Sequence, residues 1–336
     1  MTPETPFEFP PRLSLAQLPT PFQPLPRLQR HLGCRQRLWI KRDDLTGSVL
    51  SGNKVRKLEF TLAEALLAGA DTIVTCGGVQ SNHCRATALL CARLGLHCVL
   101  VLRGEAEPPF DGNLLLSQLA GAELRLWPVR TYQHNLDALL AETIEDCRAQ
   151  GRQPFLIPTG ASDAIGVWGY IGAVQELQAD FAREAITRAH LLCATGSGGT
   201  QAGLTAGAAL LGLPATVWGV AVCDDEQWFL DKVRSDLQAW QERYQVPLEL
   251  GRLQVQVLDA YIGPGYARAG REVFETIQLL ASLEGMVLDP VYTGKAFLGL
   301  LTELRSGRFD DVDDIVFVHT GGVFGLFPQR DQVVAS

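Results

Sequence analysis

Lys54 stands in Ser-Gly-Asn-Lys-Val-Arg-Lys-Leu-Glu-Phe (51–60), between a glycine–asparagine pair and a run with helical spacing. A lysine at such a junction is either the first cation of a solvated helix or an amine aimed into a cleft. Arg56 and Lys57, deeper in the run, read as cations on the helix surface. Ala-Thr-Gly-Ser-Gly-Gly-Thr-Gln-Ala-Gly (194–203) gives the strongest local signal. An apolar strand runs into a small-residue loop, and a helix opens near Thr200. Free backbone N–H groups and the helix dipole make such a place an anion site, most naturally for a phosphate.

No lysine follows Gly199, so this is not a Walker loop. Gly196 and Gly198 fit the first two glycines of a dinucleotide fingerprint, but Gln201 stands at the third. Asp224 and Asp225, after the next strand, keep an NAD(P)-dependent oxidoreductase as an alternative.

Gly-Gly-Val-Gln-Ser-Asn-His (77–83) puts Ser81 and Asn82 at a helix start. Ser81 is either an N-cap or, with Asn82 and free N–H groups, part of a carboxylate cradle. Val79 and His83 occupy the glycine positions of a nucleophile elbow, which excludes that reading. Tyr292 and Thr293 lie on a turn before a helix starting near Gly294, and Tyr266 lies in Ile-Gly-Pro-Gly-Tyr-Ala-Arg (262–268). A tyrosine can move protons once its pKa falls, or it can simply pack.

The elements that must position these residues alternate. Strands are expected at 37–41, 71–76, 97–102, 154–158, 190–195, 216–222, 253–259 and 314–319. Helical patterns cover 57–68, 81–94, 135–149, 201–211 and 267–283. Strand–helix alternation with near-continuous apolar strands predicts an α/β fold with a mostly parallel sheet covered on both faces. Ligands of such sheets bind beyond the strands' carboxyl ends. Three strands, ending near 76, 195 and 319, run into glycine and small hydroxyl residues, which predicts one shared pocket.

The totals restrict the partners. A chain of 336 residues has material for two domains. Its net charge of −8 offers no basic field for nucleic acid or acidic membranes. The eight cysteines form no C-x-x-C pair, and no histidine has metal-ligand spacing. A reducing, cytoplasmic setting without disulfides or metal is expected. The proline-rich N-terminal stretch lacks the apolar core of a signal peptide. Residues 191–223 carry no charge, but Gly-Ser-Gly-Gly and Leu-Gly-Leu-Pro interrupt them, so no membrane span is expected.

A lysine at a loop–helix junction, a phosphate cup, an anion cradle and two tyrosines are together explained by one small phosphorylated cofactor that bonds to lysine. Pyridoxal phosphate is that cofactor.

The motifs KRDDLTG…SGNKVRKLEF, GGVQSNHCRATA, ATGSGGTQAG, LEGMVLDPVYTGKAF and FVHTGG occur in one order and span nearly the whole chain. Together they resemble the D-cysteine desulfhydrase and 1-aminocyclopropane-1-carboxylate deaminase family, part of the tryptophan-synthase-β-like (fold type II) pyridoxal-phosphate enzymes. The resemblance implies two open, twisted, mostly parallel α/β domains with the cofactor in the cleft between them. Residues 1–52 with 167–336 would form the larger, phosphate-binding domain and 53–166 the smaller, in a homodimer.

Carried over, the resemblance implies that Lys54 holds the cofactor covalently and that Asn82 contacts its ring hydroxyl. Thr195, Gly196, Ser197, Gly198, Gly199 and Thr200 would hold the phosphate. Gln80, Ser81 and Asn82 would face the substrate, and Tyr266 and Tyr292 would flank it. Thr293 would bond the pyridine nitrogen. The ring-opening deaminases typically carry glutamate there and the desulfhydrases threonine. A hydroxyl makes the ring a weaker electron sink, which suits β-elimination of a good leaving group. D-cysteine, giving pyruvate, sulfide and ammonia, is therefore the expected substrate. L-cysteate, a β-chloro amino acid and the cyclopropane acid remain alternatives within the family. Arg85, one turn beyond Ser81, could face a sulfonate but reads more simply as a solvated helix arginine. A phosphate-ligand binder without catalysis is a further alternative.

Overall fold

A computed structural model of the chain describes residues 7–105 and 107–335. The first six residues of the proline-rich N-terminal stretch lie outside them.

Among the described residues ten strands form two sheets. They are β1 (Phe22–Pro24), β2 (Arg37–Lys41), β3 (Thr72–Gly78), β4 (His97–Arg103), β5 (Glu123–Trp127), β6 (Pro154–Ile157), β7 (Ala189–Thr195), β8 (Ala215–Ala221), β9 (Gln256–Leu258) and β10 (Asp314–Val318). One sheet has the order β1-β2-β10-β7-β8-β9 and the other β5-β4-β3-β6. Among the described residues every pairing is parallel except β1 with β2. The sheets are thus of the doubly covered α/β kind that the apolar strand runs predict.

Ten helices connect them: α1 (Pro26–Leu32), α2 (Lys54–Leu67), α3 (Asn82–Leu94), α4 (Gly112–Leu119), α5 (Val129–Ala149), α6 (Val167–Arg183), α7 (Gly199–Leu211), α8 (Glu226–Tyr244), α9 (Arg271–Glu284) and α10 (Thr293–Arg305). The alternation of side chains along β7 explains the layers. Leu192 and Ala194 pack with Phe274 and Leu300 of α9 and α10 on one face. Leu191 and Cys193 pack with Tyr170 and Leu204 of α6 and α7 on the other. In the smaller sheet Ile73 and Leu100 meet Leu58, Leu90 and Leu114 of α2, α3 and α4, while Val74 and Val99 meet Leu139 and Leu140 of α5.

Two strands had no expectation. β1 has three residues and ends in proline, and β5, Glu-Leu-Arg-Leu-Trp, is a half-buried edge strand with two charges. Neither carries the apolar run by which central strands are read. α2 begins at Lys54, three residues earlier than the periodicity predicts, because its first turn is polar yet buried. Among the described residues no helix is long and apolar enough to cross a membrane.

Candidate active site

A cavity of about 420 Å³ lies between the carboxyl ends of the two sheets. Gly77, Gly78 and Ser81 border it at and beyond the end of β3, Ala194 to Gly198 at and beyond the end of β7, and Thr320 and Gly321 after β10. These are the three glycine-rich strand ends that the sequence singles out. The ends of β4, β6 and β8 add Arg103, Thr159 with Gly160, and Cys223 with Asp224.

Lys54 enters this cavity from the first turn of α2. Gly52 takes φ +112°, and a Cβ there would lie 2.7 Å from the Thr320 carbonyl oxygen. Only glycine allows that approach. Asn53 follows, donating its N–H to the same oxygen at 3.1 Å. Lys54 Nζ donates to Asn53 Oδ1 at 2.9 Å, and Asn53 Nδ2 donates to Thr200 Oγ1 at 2.9 Å. One asparagine therefore ties the amine to the phosphate-cup loop. Burial lowers the Lys54 pKa to about 8, the Arg85 charge adds to this, and Asp289 opposes it. About a tenth of such amines are neutral at pH 7, against well under a thousandth for an ordinary lysine.

The cup itself is backbone. Gly198 takes φ +81°, which turns the chain into α7 at Gly199. No acidic residue occupies the first turn of α7, so its dipole is uncompensated there. Gly196, Ser197, Gly198, Thr195 and Thr200 border the cavity. Thr195 Oγ1 is buried without a hydrogen-bond partner in the protein, a group that a ligand oxygen would satisfy. Gly199 does not border the cavity; its N–H donates to Ser162 Oγ at 3.3 Å.

Beneath the cup, Lys57 Nζ donates to Ser162 Oγ at 3.0 Å and to the Gly160 carbonyl at 3.2 Å, and the Ser162 and Ser197 hydroxyls are 2.8 Å apart. Lys57 is thus no surface cation. Burial holds its pKa well below the usual lysine value, with Lys54's charge adding to the effect. Arg56 is equally buried, against Asp43 and Glu176. The helical pattern marked both as solvent-facing, whereas α2 is enclosed by its neighbours up to its last turn.

Ser81 serves as the N-cap of α3, accepting from the Cys84 N–H at 3.2 Å, and it also borders the cavity. The two readings of this serine are compatible. Asn82 borders the cavity too, with its Oδ1 accepting from Asn113 Nδ2 at 3.1 Å. Gln80 departs from expectation. Its amide donates to the Asp111 carbonyl at 3.0 Å and accepts from the Asn113 N–H at 2.9 Å, so it braces the 111–113 segment. Arg85 is not solvated. It is buried, donates to Asn113 Oδ1 at 3.0 Å and to the carbonyls of Ser51 and Val49, and does not border the cavity, so it does not face a substrate sulfonate.

Tyr266 and Tyr292 both border the cavity, their hydroxyls 2.5 Å apart. Burial raises both pKa values, Tyr292 well above the ordinary value. The lowered tyrosine pKa needed for a phenolate base is absent. Thr293 also departs from expectation. Its hydroxyl donates to buried Asp289 Oδ1 at 2.7 Å, and it does not border the cavity. Asp289 also accepts from the Val291 and Tyr292 N–H groups at 2.9 Å, fixing the turn that carries Tyr292. Thr320, after β10, borders the cavity where Thr293 does not. Lys295 holds the Tyr266 loop by donating to the carbonyls of Ile262 at 2.7 Å and Gly265 at 2.8 Å.

Among the cavity residues that escaped the sequence reading are Thr320, His83 and Arg103, besides Tyr132 and Thr159. Thr320 and His83 sat inside quoted motifs, and Arg103 ends an apolar strand before a glycine, a visible but unspecific signal. His83 has a fixed tautomer. The Thr75 hydroxyl donates to the Ile157 carbonyl at 2.7 Å, so at the 2.8 Å contact with His83 Nε2 the nitrogen must carry the hydrogen. Nδ1 is left as a buried acceptor without a protein partner. Burial, then the Lys54 and Lys57 charges, hold this imidazole neutral well below the usual range.

Among the described residues no group of histidine, cysteine and carboxylate side chains is placed to hold a metal ion. The residues present fit pyridoxal phosphate. An anion cup with an unpartnered hydroxyl faces a lysine of lowered pKa across one cavity.

The chain matches the family described as pyridoxal-phosphate dependent enzyme over residues 13–321. It is 42% identical to the D-cysteine desulfhydrase of Klebsiella pneumoniae (strain 342) over 323 residues, 94% of this chain and 95% of that protein. It is 40% identical to the mitochondrial bifunctional D-cysteine desulfhydrase/1-aminocyclopropane-1-carboxylate deaminase of Arabidopsis thaliana, covering 96% of this chain and 80% of that one. The crystal structure of an ACC deaminase homologue superposes with a TM-score of 0.86 at 37% identity, covering 97% and 96% of the two chains.

Proposed function

The chain belongs to the pyridoxal-phosphate dependent enzyme family, and we propose that its reaction is β-elimination from a small amino acid, D-cysteine giving pyruvate, sulfide and ammonia. The observation that carries this reading is Lys54. Its amine has a pKa of about 8 and is tied through Asn53 to an anion cup that borders the same cavity.

Lys54 is the covalent anchor; Gly196, Ser197, Gly198, Thr200 and the Thr195 hydroxyl hold the phosphate, and Asn82 the ring hydroxyl. Bound there, the cofactor supplies an electron sink for the carbanion formed at Cα. Lys54 Nζ, once released, takes the Cα proton, and desolvation keeps it neutral enough to do so. Ser81, with the free N–H groups opening α3, binds the substrate carboxylate. Tyr266 and Tyr292, both protonated and hydrogen-bonded to each other, together offer one hydroxyl proton to the leaving group at Cβ. Elimination is favoured over ring opening because the cavity wall after β10 offers the Thr320 hydroxyl. The cavity's single carboxylate, Asp224, follows β8. A neutral partner leaves the ring a weaker sink, sufficient for a leaving group such as hydrosulfide.

The reading extends to the assembly. The six-stranded sheet serves a larger domain of residues 1–52 and 167–336, and the four-stranded sheet a smaller one of 53–166. A homodimer in the cytoplasm completes it, and eight free thiols support a reducing compartment. The purified protein should be yellow. Borohydride should bleach the band and fix the cofactor's mass on the peptide carrying Lys54. D-cysteine should release pyruvate and sulfide. A colourless protein, or a yellow one inert to D- and L-cysteine but active on the cyclopropane acid, overturns the assignment.

A further inference from the structure

Lys295 lies in the first turn of α10, just beyond Tyr292 and Thr293, and is fully buried. Lys41, at the end of β2, is about as buried but meets the carboxylates of Glu176 and Asp180. Among the described residues no carboxylate lies within ion-pair distance of Lys295. Its Nζ donates instead to three backbone carbonyls, those of Ile262 at 2.7 Å, Gly265 at 2.8 Å and Val222 at 3.4 Å. Burial lowers its pKa to about 8, with Cys223 and Asp289 opposing, so it is still an ammonium at pH 7. A charge taken out of water without a counter-ion costs stability, and a methionine would fill similar space without that cost. The three carbonyls show what the charge holds.

Ile262 and Gly265 lie in the loop 259–270, which carries Tyr266 and contains no helix or strand. Gly263, Gly265 and Ala267 there take φ of +65°, +124° and +59°. An alanine in the left-handed region persists only where its surroundings fix it. Val222 follows β8 and precedes Cys223 and Asp224, which border the cavity. Tyr292 precedes Lys295 on the turn that Asp289 holds through the Tyr292 N–H at 2.9 Å. One ammonium thus joins the loop of one tyrosine to the helix of the other. The two hydroxyls that it brings together are 2.5 Å apart.

We infer that Lys295 is the positioning residue of the tyrosine pair: by clamping the Ile262 and Gly265 carbonyls to the first turn of α10, it holds the Tyr266 hydroxyl against that of Tyr292. The inference deepens, and rests on, the reading of the pair as proton donor to the leaving group. Without the clamp the loop relaxes, the hydroxyls part, and the free proton is no longer presented at Cβ. Hydrosulfide is a far stronger base than chloride and gains from a proton donor, whereas chloride needs none. Loss of Lys295 therefore weakens one elimination and spares the other.

The test uses the cofactor-loaded protein as wild type, Lys295→Met, Tyr266→Phe and the double variant, with D-cysteine and β-chloroalanine. Pyruvate release gives kcat. Lys295→Met should lower kcat for D-cysteine by about 10- to 100-fold, the effect of a misplaced catalytic group, and that for β-chloroalanine by far less. The double variant should be little slower on D-cysteine than Tyr266→Phe alone, because both changes remove one function. A second readout does not depend on turnover. In protein labelled with fluorotyrosine, fluorine NMR reports the contact, with the Tyr266 and Tyr292 signals assigned from their phenylalanine variants. The Tyr292 signal should move in Lys295→Met in the direction that it moves in Tyr266→Phe. Lys295→Gln replaces the methionine variant where the latter does not load cofactor.

Unchanged Tyr266 and Tyr292 signals overturn the inference, whatever the kinetics. Equal falls for the two substrates also overturn it, since they mean that Lys295 supports the fold at large. If the signals move but Tyr266→Phe leaves D-cysteine turnover unchanged, the clamp stands and the proton-donor reading of the pair falls. If the wild type releases pyruvate from neither compound, the β-elimination reading falls, and the fluorine signals alone decide the clamp.

Discussion

The hydroxyls of Tyr266 and Tyr292 lie 2.5 Å apart at the edge of the cavity, with their rings edge-on at 74°. One of the two must donate to the other, so the pair offers a single free proton to the cavity. Burial raises both pKa values, and the Tyr266 phenol disfavours ionisation of Tyr292 further, whereas the Tyr292 hydrogen bond partly offsets burial at Tyr266. At neutral pH the pair is a hydrogen-bond donor, not a base.

Two residues sharing one donated proton fail together. Tyr266→Phe and Tyr292→Phe should each lower kcat by about 100-fold, in the range of lost proton-transfer assistance. The double variant should fall no more than a few-fold below the weaker single. Steady-state kinetics on the four proteins give the cycle. Losses that multiply would show two independent roles.

Lys54→Ala should lack the visible band and turnover. Cofactor uptake by the wild-type apoprotein supplies a finer check. The amine bonds only when neutral, and its pKa is about 8. The uptake rate should rise with pH and level off above about pH 8, not above 10 as for a solvated lysine. Stopped-flow absorbance reads the midpoint directly. Asn53→Ala, which removes the Lys54 contact at 2.9 Å and the tie to Thr200, should slow uptake while leaving a covalent product.

The parts of the site that were legible in the sequence are those whose signal is local. Strand ends followed by glycine and hydroxyl residues, and a lysine at a helix start, need no partner to be recognised. Arg56, Lys57 and Arg85 were misread because what buries them is distant in sequence: Glu176 is 120 residues from Arg56, and Ser162 is 105 from Lys57. Thr293 and Thr320 both follow the right kind of segment, and only the fold decides which hydroxyl Asp289 takes. Gln201 makes the same point about packing. A dinucleotide fold places its third glycine there for close helix–strand contact. Here the glycine is on the strand: a Cβ at Gly219 would lie 1.9 Å from Gln201 Oε1.

His83 and His319 should make the protein sensitive to acid. Burial lowers both pKa values below the ordinary 6.5. In the unfolded chain they take up protons near pH 6.5, and in the folded protein they do not. Between the two pKa values the unfolded state therefore binds more protons, and stability is lost as pH falls below about 6.5. Each histidine contributes up to about 1.4 kcal/mol per pH unit in that window. Urea midpoints at pH 7.5 and 5.5 measure the loss, and His83→Gln should flatten it. Histidine NMR should show His83 as the neutral Nε2–H form, unchanged from pH 8 to 6. A normal titration of His83 near 6.5 would contradict the Thr75 geometry.

Arg56 provides the largest expected stability effect. Its Nε and Nη2 donate to the two oxygens of Asp43 at 2.9 and 2.8 Å, and Nη1 to Glu176 at 2.7 Å. Asp43 also accepts from Tyr170 at 2.6 Å and Thr20 at 2.8 Å, and it is fully buried. Arg56→Met leaves that carboxylate without its main counter-charge, and should cost about 3–5 kcal/mol in urea unfolding. A surface arginine would cost under about 1 kcal/mol. Most of the loss belongs to the orphaned carboxylate, not to the attraction itself. Adding Asp43→Asn to Arg56→Met should therefore recover part of it, so the double variant should be more stable than the sum of the two singles predicts. Additive losses would mean that Asp43 is held by Tyr170 and Thr20 without help from Arg56. The Asp43 carbonyl also accepts from the Gly52 N–H at 3.0 Å, two residues before Lys54. The same variants should slow turnover in step with their stability loss, because the network sets the turn from which the lysine enters the cavity.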